Sequence, residues 1–219
     1  MVFGLFEKKE YSRAEIMEAA GKFRSKGKHK KAIAEYQKIL KQDSGDFDVA
    51  GRIAPLMAET KQPEDSWKHF KIAIAGYMKK GFYDKALSMV NMATRYLPRE
   101  VEAWEAFARL EIEVKKRPED AVQTLHTGHL NFRKKELLPK AIRLLQNAWK
   151  VEPWNFNVSF DLAKILLREA KKVDAKKIFK GLEEREKGGK LRKVRWALFW
   201  MEPGAGGFFR WMKAATLGR

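Results

Sequence analysis

The chain of 219 residues contains no cysteine, which excludes disulfide bonds and thiolate metal sites. It also lacks a long hydrophobic run, because the longest apolar stretch near the C-terminus, residues 196–201, is too short to span a bilayer. The apolar start at residues 1–6 has neither the basic leader nor the length of a signal peptide. These absences predict a cytoplasmic protein, with peripheral contact to a membrane as an open alternative.

Catalytic motifs are missing as well. Serines are few, and none stands in the context of a nucleophile elbow. The glycines at 204–207 lack the lysine and the preceding strand of a phosphate-binding loop. His126 and His129 have a spacing that can hold a metal, but no third ligand is evident nearby. We therefore expect no enzymatic activity, no cofactor and no metal site.

Positive charge is in large excess, since 46 basic residues face 28 acidic ones and the net charge is +18. Such an excess favours anionic partners, which include acidic peptides, nucleic acids and anionic membranes. It does not choose among them, and a highly charged solvated surface would explain it equally well. The hydrophobic content of 45% is sufficient for a packed core.

One spacing recurs in three independent markers. Lys31-Ala32-Ile33 returns as residues 85–87 and again as residues 140–142, at steps of 54 and 55. The triplet at 63–65 returns at 118–120, and Pro98 returns as Pro153, both at 55. This self-similarity indicates a stacked repeat protein, in which neighbouring repeats share a core and leave a long surface for partners. Such a chain is expected to bind a partner and not to transform a substrate.

Apolar residues at helical spacing, separated by glycine and proline, predict helices throughout the repeats. Pro63 and Pro118 stand at helix starts, where a missing N–H costs nothing, whereas Pro55 falls inside a predicted helix. Ten helices are predicted, at residues 13–26, 29–42, 46–59, 64–80, 83–96, 100–115, 118–133, 137–150, 155–169 and 172–186.

The pattern within the repeats resembles the tetratricopeptide repeat (TPR), a pair of helices with small and large apolar residues at fixed positions. Residues 13–46 carry Ile16, Ala19, Ala20, Phe23, Gly27, Ala32 and Tyr36. Residues 67–100, 122–155 and 156–189 carry similar sets. The resemblance implies an all-α superhelical solenoid of TPR-like hairpins at residues 13–186, between an N-terminal tail at 1–12 and a C-terminal extension at 187–219. Because strict 34-residue spacing fails, a three-helix module of about 55 residues describes the sequence equally well.

The resemblance also implies a concave groove lined by the first helix of each repeat. We expect this scaffold to bind a peptide or helix with acidic and hydrophobic residues, held by shape and charge. The predicted groove residues are Met17, Arg24, Arg52, His126, Leu130, Arg133, Phe160, Lys164, Leu167 and Arg168.

The extension at residues 187–219 holds eight basic residues, one acidic residue and many aromatic ones. Two short helices are predicted there, at 190–201 and 207–216. The extension could cap the repeats, contact an anionic membrane, or support protein docking or self-association; nucleic acid is a weaker alternative. The residues expected to contact a membrane or another anionic partner are Lys190, Arg192, Lys193, Arg195, Trp196, Trp200, Phe208, Phe209, Arg210 and Trp211.

Overall fold

The computed structural model describes residues 12–204 and 211–212, and these residues form helices and connecting turns without a strand. The α-helices are α1 (Arg13–Ser25), α2 (His29–Gln42), α3 (Phe47–Glu59), α4 (Pro63–Lys79), α5 (Tyr83–Tyr96), α6 (Val101–Glu113), α7 (Pro118–His129), α8 (Leu138–Val151), α9 (Phe156–Arg168), α10 (Lys172–Arg185) and α11 (Gly188–Met201). A short 3-10 helix, Lys135–Leu137, precedes α8.

The all-α class predicted from the sequence is confirmed. Each of the ten helices predicted between residues 13 and 186 corresponds to one of α1–α10, and the predicted helix 190–201 corresponds to α11. The predicted second helix of the extension, 207–216, lies outside the described residues except for Trp211 and Met212, which are helical. Pro63 and Pro118 begin α4 and α7 as expected, and α3 continues through Pro55.

Helix α7 is shorter than predicted, because it ends at His129 and not at residue 133. Two carbonyl groups of its last turn accept hydrogen bonds from the residues that follow. The backbone N–H groups of Leu130 and Asn131 donate to Thr127 and Gly128, and the Asn131 side-chain amide also donates to Gly128 at 3.0 Å. A side chain that satisfies these carbonyls replaces the next helical turn. Leu130 and Arg133 therefore lie after the helix.

The chain divides into two compact units, one that ends at Ala103 and one that begins at Trp104. In the first unit, α1 packs against α2, α2 against α3, and α4 against both α3 and α5. Its core contains the fully buried side chains of Ile53, Phe70 and Val90. In the second unit, α7 packs against α8, α9 against both α8 and α10, and α11 against α10. Leu145 and Phe179 are fully buried there.

A glycine of a helix meets an aromatic ring at three places along the chain. Gly76 of α4 faces Phe47, Gly128 of α7 faces Trp104, and Gly181 of α10 faces Trp154. The glycines recur at steps of 52 and 53 residues, close to the repeat seen in the sequence. A side chain as small as hydrogen lets the two helices approach closely while the ring fills the space beside them. The recurrence fits a module of three helices in which two form a TPR-like hairpin.

Gly76→Ala is expected to destabilise the first unit, because the new Cβ would overlap Cβ and Cγ of Phe47. The Cβ of Phe47 cannot move away without its backbone, so overpacking should cost about 1–3 kcal/mol. Gly21→Ala in α1 is the matched control, since nothing lies within 4 Å of its added Cβ and alanine is the better helix former. Thermal unfolding followed by circular dichroism should show a lower midpoint for the first variant only. Equal midpoints for the two variants would contradict the packing argument.

Candidate binding site

Two of the predicted groove residues line a pocket of about 490 Å³ in the first unit. Arg24 and Arg52 lie there beside apolar side chains that include Met89, Met92 and Tyr96. The third predicted residue of this unit, Met17, lies elsewhere, half-buried against the core of the first hairpin. Two of the three groove residues predicted in the first unit, Arg24 and Arg52, therefore line the same pocket.

Charges in this first-unit pocket are already balanced. Arg52 Nε lies 3.2 Å from Asp48 Oδ2, and His29 Nδ1 lies 2.9 Å from Glu59 Oε2. The hydroxyl of Tyr77 also donates to Asp48, at 3.2 Å. A ligand carboxylate would have to compete with Asp48 for the Arg52 guanidinium.

A second pocket, of about 220 Å³, lies in the second unit and gathers four predicted groove residues. Leu130 and Arg133 come from the turn after α7, while Lys164 and Arg168 come from neighbouring turns of α9. The Arg168 guanidinium donates to the backbone carbonyl of Arg133 at 2.8 Å, which joins the turn to α9. We call this cavity the basic pocket.

The basic pocket combines an apolar wall with an excess of positive charge. Phe132, Leu138 and Ile165 form a buried apolar wall, and Leu130 has 44% of its surface exposed. Asp161 is its single acidic lining residue and lies 3.7 Å from the Lys164 ammonium. Among the described residues, no carboxylate lies within 4.0 Å of Arg133. The pocket can therefore accept a carboxylate next to an apolar side chain.

The remaining groove residues lie beside this pocket and do not line it. The Phe160 ring stacks on Phe156, with 5.4 Å between ring centroids, and meets Phe179 edge-on. Leu167 is half-buried. His126 is also half-buried, and its Nε2 atom lies 3.0 Å from Asp161 Oδ2.

The structure supplies the third potential metal ligand that the sequence did not reveal. Asp161 Oδ2 lies 3.0 Å from His126 Nε2 and 3.9 Å from His129 Nε2, and the three ligand atoms all lie within 4.8 Å of one another. The prediction that no third ligand lies nearby was wrong. The signal was a carboxylate 35 residues after His126, on the next repeat and not on the same helix.

The environment of this cluster shifts the pKa of two of its members. Burial lowers the pKa of His129, whose side chain is only 5% exposed, so the imidazole is neutral at physiological pH. The hydrogen bond from His126 lowers the pKa of Asp161, and the nearby Lys164 ammonium adds to the effect. A neutral imidazole and an ionised carboxylate are the forms that bind a metal.

A third pocket, of about 320 Å³ in the second unit, was missed because the groove prediction did not include α6. Its lining is largely apolar, with Ala108, Ile112, Leu125 and Val151. At its rim, the Asn147 amide donates to Glu105 at 2.8 Å. Nothing in the sequence marks this surface, and the structure shows it through Ile112 of α6, which is 37% exposed.

Helix α11 both packs onto the fold and exposes aromatic side chains. Val194 and Met201 are buried, and the Arg195 guanidinium donates to Glu183 at 2.9 Å. Trp196 and Trp200 are 42% and 64% exposed. These contacts fit a helix that covers α10 with one face and presents indole rings on another.

The other extension residues are placed as follows. The Lys190 ammonium lies 5.1 Å from the ring centroid of Phe156, and Arg192 and Lys193 are exposed. Trp211 lies with its ring centroid 5.0 Å from that of Trp196. Phe208, Phe209 and Arg210 lie outside the described residues.

Within the described residues, none of the helices has the length and apolar character needed to cross a bilayer.

Comparison with known proteins finds similarity in structure alone, since no family model and no curated protein sequence matches the chain. The solved structures that are similar include a tetratricopeptide repeat protein from Parabacteroides merdae, at 14% identity over 94% of this chain and 93% of that one, with a TM-score of 0.35. The TPR domain of P58(IPK) is 17% identical over 87% and 67% of the two chains, with a TM-score of 0.33. PilF from Pseudomonas aeruginosa is 12% identical over 92% and 96%, with a TM-score of 0.29.

At these TM-scores we base the class of fold on the helix pairs themselves. The antiparallel pairs, their small-residue contacts and the repeat of their sequence pattern define a TPR-like helical-repeat protein.

Glu111 of α6 is a buried carboxylate outside the three pockets described above. It is 5% exposed, and its Oε2 atom has no hydrogen-bond partner among the described residues. Burial raises the pKa of Glu111, and a hydrogen bond from the Thr124 side chain opposes that rise only in part. A carboxyl group whose folded pKa is raised destabilises the fold when it is ionised and does so less as the pH falls.

Glu111→Gln is therefore expected to raise the unfolding midpoint by about 2–4 °C near neutral pH, because the amide keeps the shape and removes the buried charge. The gain should disappear as the pH falls below the unfolded-state pKa of about 4.3, where both chains are uncharged at this position. Glu113→Gln, on the exposed side of the same helix, is the control and should change little. A gain that persists unchanged at acid pH would contradict the role assigned to the charge.

Proposed function

We propose that the chain is a non-enzymatic scaffold that binds a segment of a partner protein in the basic pocket. The observation that carries this proposal is the convergence of Arg133, Lys164 and Arg168 beside the exposed Leu130. The segment that fits this arrangement carries carboxylates next to an apolar side chain.

The arrangement of the pocket supports both parts of that recognition. Arg133 presents a guanidinium with several donors in one plane, which can hold a carboxylate through two parallel hydrogen bonds. Lys164 adds a second cation from a helix, while Leu130 offers its exposed side chain to an apolar group. Cations that face acidic partners also accelerate encounter and make binding sensitive to salt.

The first-unit pocket is the weaker candidate for the same ligand. It is larger, but two carboxylates, Asp48 and Glu59, line it together with the two arginines. Arg52 already pairs with Asp48, so a ligand carboxylate would displace an existing partner there. In the basic pocket, three cations face one aspartate.

The test uses a fluorescein-labelled amphipathic peptide with leucine on one face and glutamate on the other, and a matched peptide with lysine in place of glutamate. We expect the intact chain to bind the acidic peptide and to discriminate against the basic one. Arg133→Ala combined with Lys164→Ala should weaken binding at least about tenfold, because a hydrogen bond to a charged group contributes more than 1.4 kcal/mol.

The control combines Lys150→Ala with Lys177→Ala, which removes the same charge from exposed positions outside the basic pocket. Fluorescence anisotropy at two salt concentrations measures the binding of each of the three chains to each of the two peptides. If the control variant loses as much affinity for the acidic peptide, the loss reflects net charge alone, which would contradict the proposal. A chain that does not prefer the acidic peptide would also contradict it.

A second candidate function is supported by the exposed indoles of α11. Trp196 and Trp200 lie on the helix that also exposes Arg192 and Lys193. Tryptophan beside basic residues suits the interface of an anionic membrane.

Co-sedimentation with vesicles tests this second candidate. The chain should bind vesicles that contain phosphatidylserine better than vesicles of phosphatidylcholine alone, and rising salt should weaken the binding. Trp196→Ala combined with Trp200→Ala should reduce sedimentation several-fold, whereas Tyr83→Ala, at another exposed aromatic residue, should not. Sedimentation that is indifferent to the tryptophans or to lipid charge would exclude this use of α11.

A further inference from the structure

We propose that His126, His129 and Asp161 form a binding site for a divalent transition-metal ion, with zinc as the ion that fits best. The proposal goes beyond the scaffold function and does not depend on it. It rests on three ligand atoms from two helices, α7 and α9, that the fold brings to one point.

The distances are close to those of a tetrahedral zinc site. Ligand atoms about 2.0–2.1 Å from a tetrahedral ion lie roughly 3.4 Å from one another. Asp161 Oδ2 lies 3.0 Å from His126 Nε2 and 3.9 Å from His129 Nε2, and every pair of ligand atoms lies within 4.8 Å. Side-chain rotations would have to bring these separations to about 3.4 Å to place all three atoms around one ion. The histidine rings, 4.9 Å apart between centroids, are tilted and not stacked face to face.

A hydrogen bond orients the ring of His129 as a metal ligand would be oriented. Its Nδ1 atom faces the backbone carbonyl oxygen of His126, to which the ring N–H donates. This contact fixes the tautomer, so Nε2 carries the lone pair and points toward Asp161. The ring is also buried in the second unit. Orientation by a second hydrogen bond is the usual arrangement of a histidine that binds a metal.

At His126 the ion replaces a proton. Its Nε2 atom is within hydrogen-bond distance of Asp161, so one proton lies between the two groups in the structure described here. A metal that binds both atoms would take the position of that proton, and the neutral ring would then carry its N–H at Nδ1 after exchange through solvent.

The ligand set and its surroundings select the kind of ion. Two imidazoles and one carboxylate suit zinc and its transition-metal neighbours, whereas calcium and magnesium prefer oxygen alone. Lys164 and Arg133 disfavour additional positive charge, and they favour an anion or a water-derived hydroxide as the fourth ligand. His129 and Asp161 both line the basic pocket, so the fourth position is open to it.

The experiment uses the full chain without a histidine tag, stripped of metal by a chelator. Zinc titration by calorimetry should show one equivalent bound, and cobalt should give the visible absorption of a tetrahedral site. His129→Gln and Asp161→Asn should each weaken zinc binding at least about tenfold. His69→Gln is the control, because Nδ1 of His69 faces the backbone carbonyl of Asp65 on its own helix and His69 is not part of the cluster.

The effect of zinc on the unfolding midpoint distinguishes a metal site from an ion pair that only stabilises the fold. Zinc should raise the unfolding midpoint of the intact chain and of His69→Gln, but not of His129→Gln. If zinc does not bind, or if the cluster variants bind it as well as the intact chain, the proposal is overturned. The double variant Arg133→Ala with Lys164→Ala should lose the acidic peptide but keep zinc, which distinguishes failure of this proposal from failure of the scaffold function.

Discussion

Close approach between the two helices of a hairpin is the constraint on which the rest of the structure depends. Where Gly128 faces the indole of Trp104, any larger side chain would meet the ring at 2.7 Å. Because glycine has no Cβ, the backbone and the ring pack closely enough for dispersion contacts, and these contacts stabilise a repeat that has no disulfide bond. The same contact between a glycine and an aromatic ring recurs at Gly76 and Gly181, so it is repeated in each module.

This constraint also positions the candidate site. Gly128 lies in the last turn of α7, and its carbonyl accepts two hydrogen bonds from Asn131 where the helix ends. The chain then turns, and Leu130 and Arg133 come to lie beside Lys164 of α9. In the same last turn of α7, His126 and His129 face Asp161 of α9. The end of α7 therefore brings the basic pocket and the histidine cluster together.

The sequence predicted the helices well because each carries a strong local signal. Apolar spacing, prolines at α4 and α7 and turn glycines are contained in short stretches of chain.

The sequence predicted the site less well, because residues that share a pocket lie about 35 positions apart. Arg133 and Arg168 were expected on one groove and do share a pocket, but Met17 faces the core. The end of α7 was misplaced since it depends on one side chain, Asn131. Asp161 was missed because nothing local marks a carboxylate as the partner of two histidines on another helix.

The central claim is that the basic pocket is where a partner segment binds. An NMR titration of the isotope-labelled full chain with the acidic amphipathic peptide tests it most directly, because each backbone amide reports its own surroundings. The account predicts that the largest shifts cluster at residues 130–133 and on α9 around Lys164 and Arg168. Shifts confined to the first-unit pocket or to α11, or no saturable shifts at all, would contradict it.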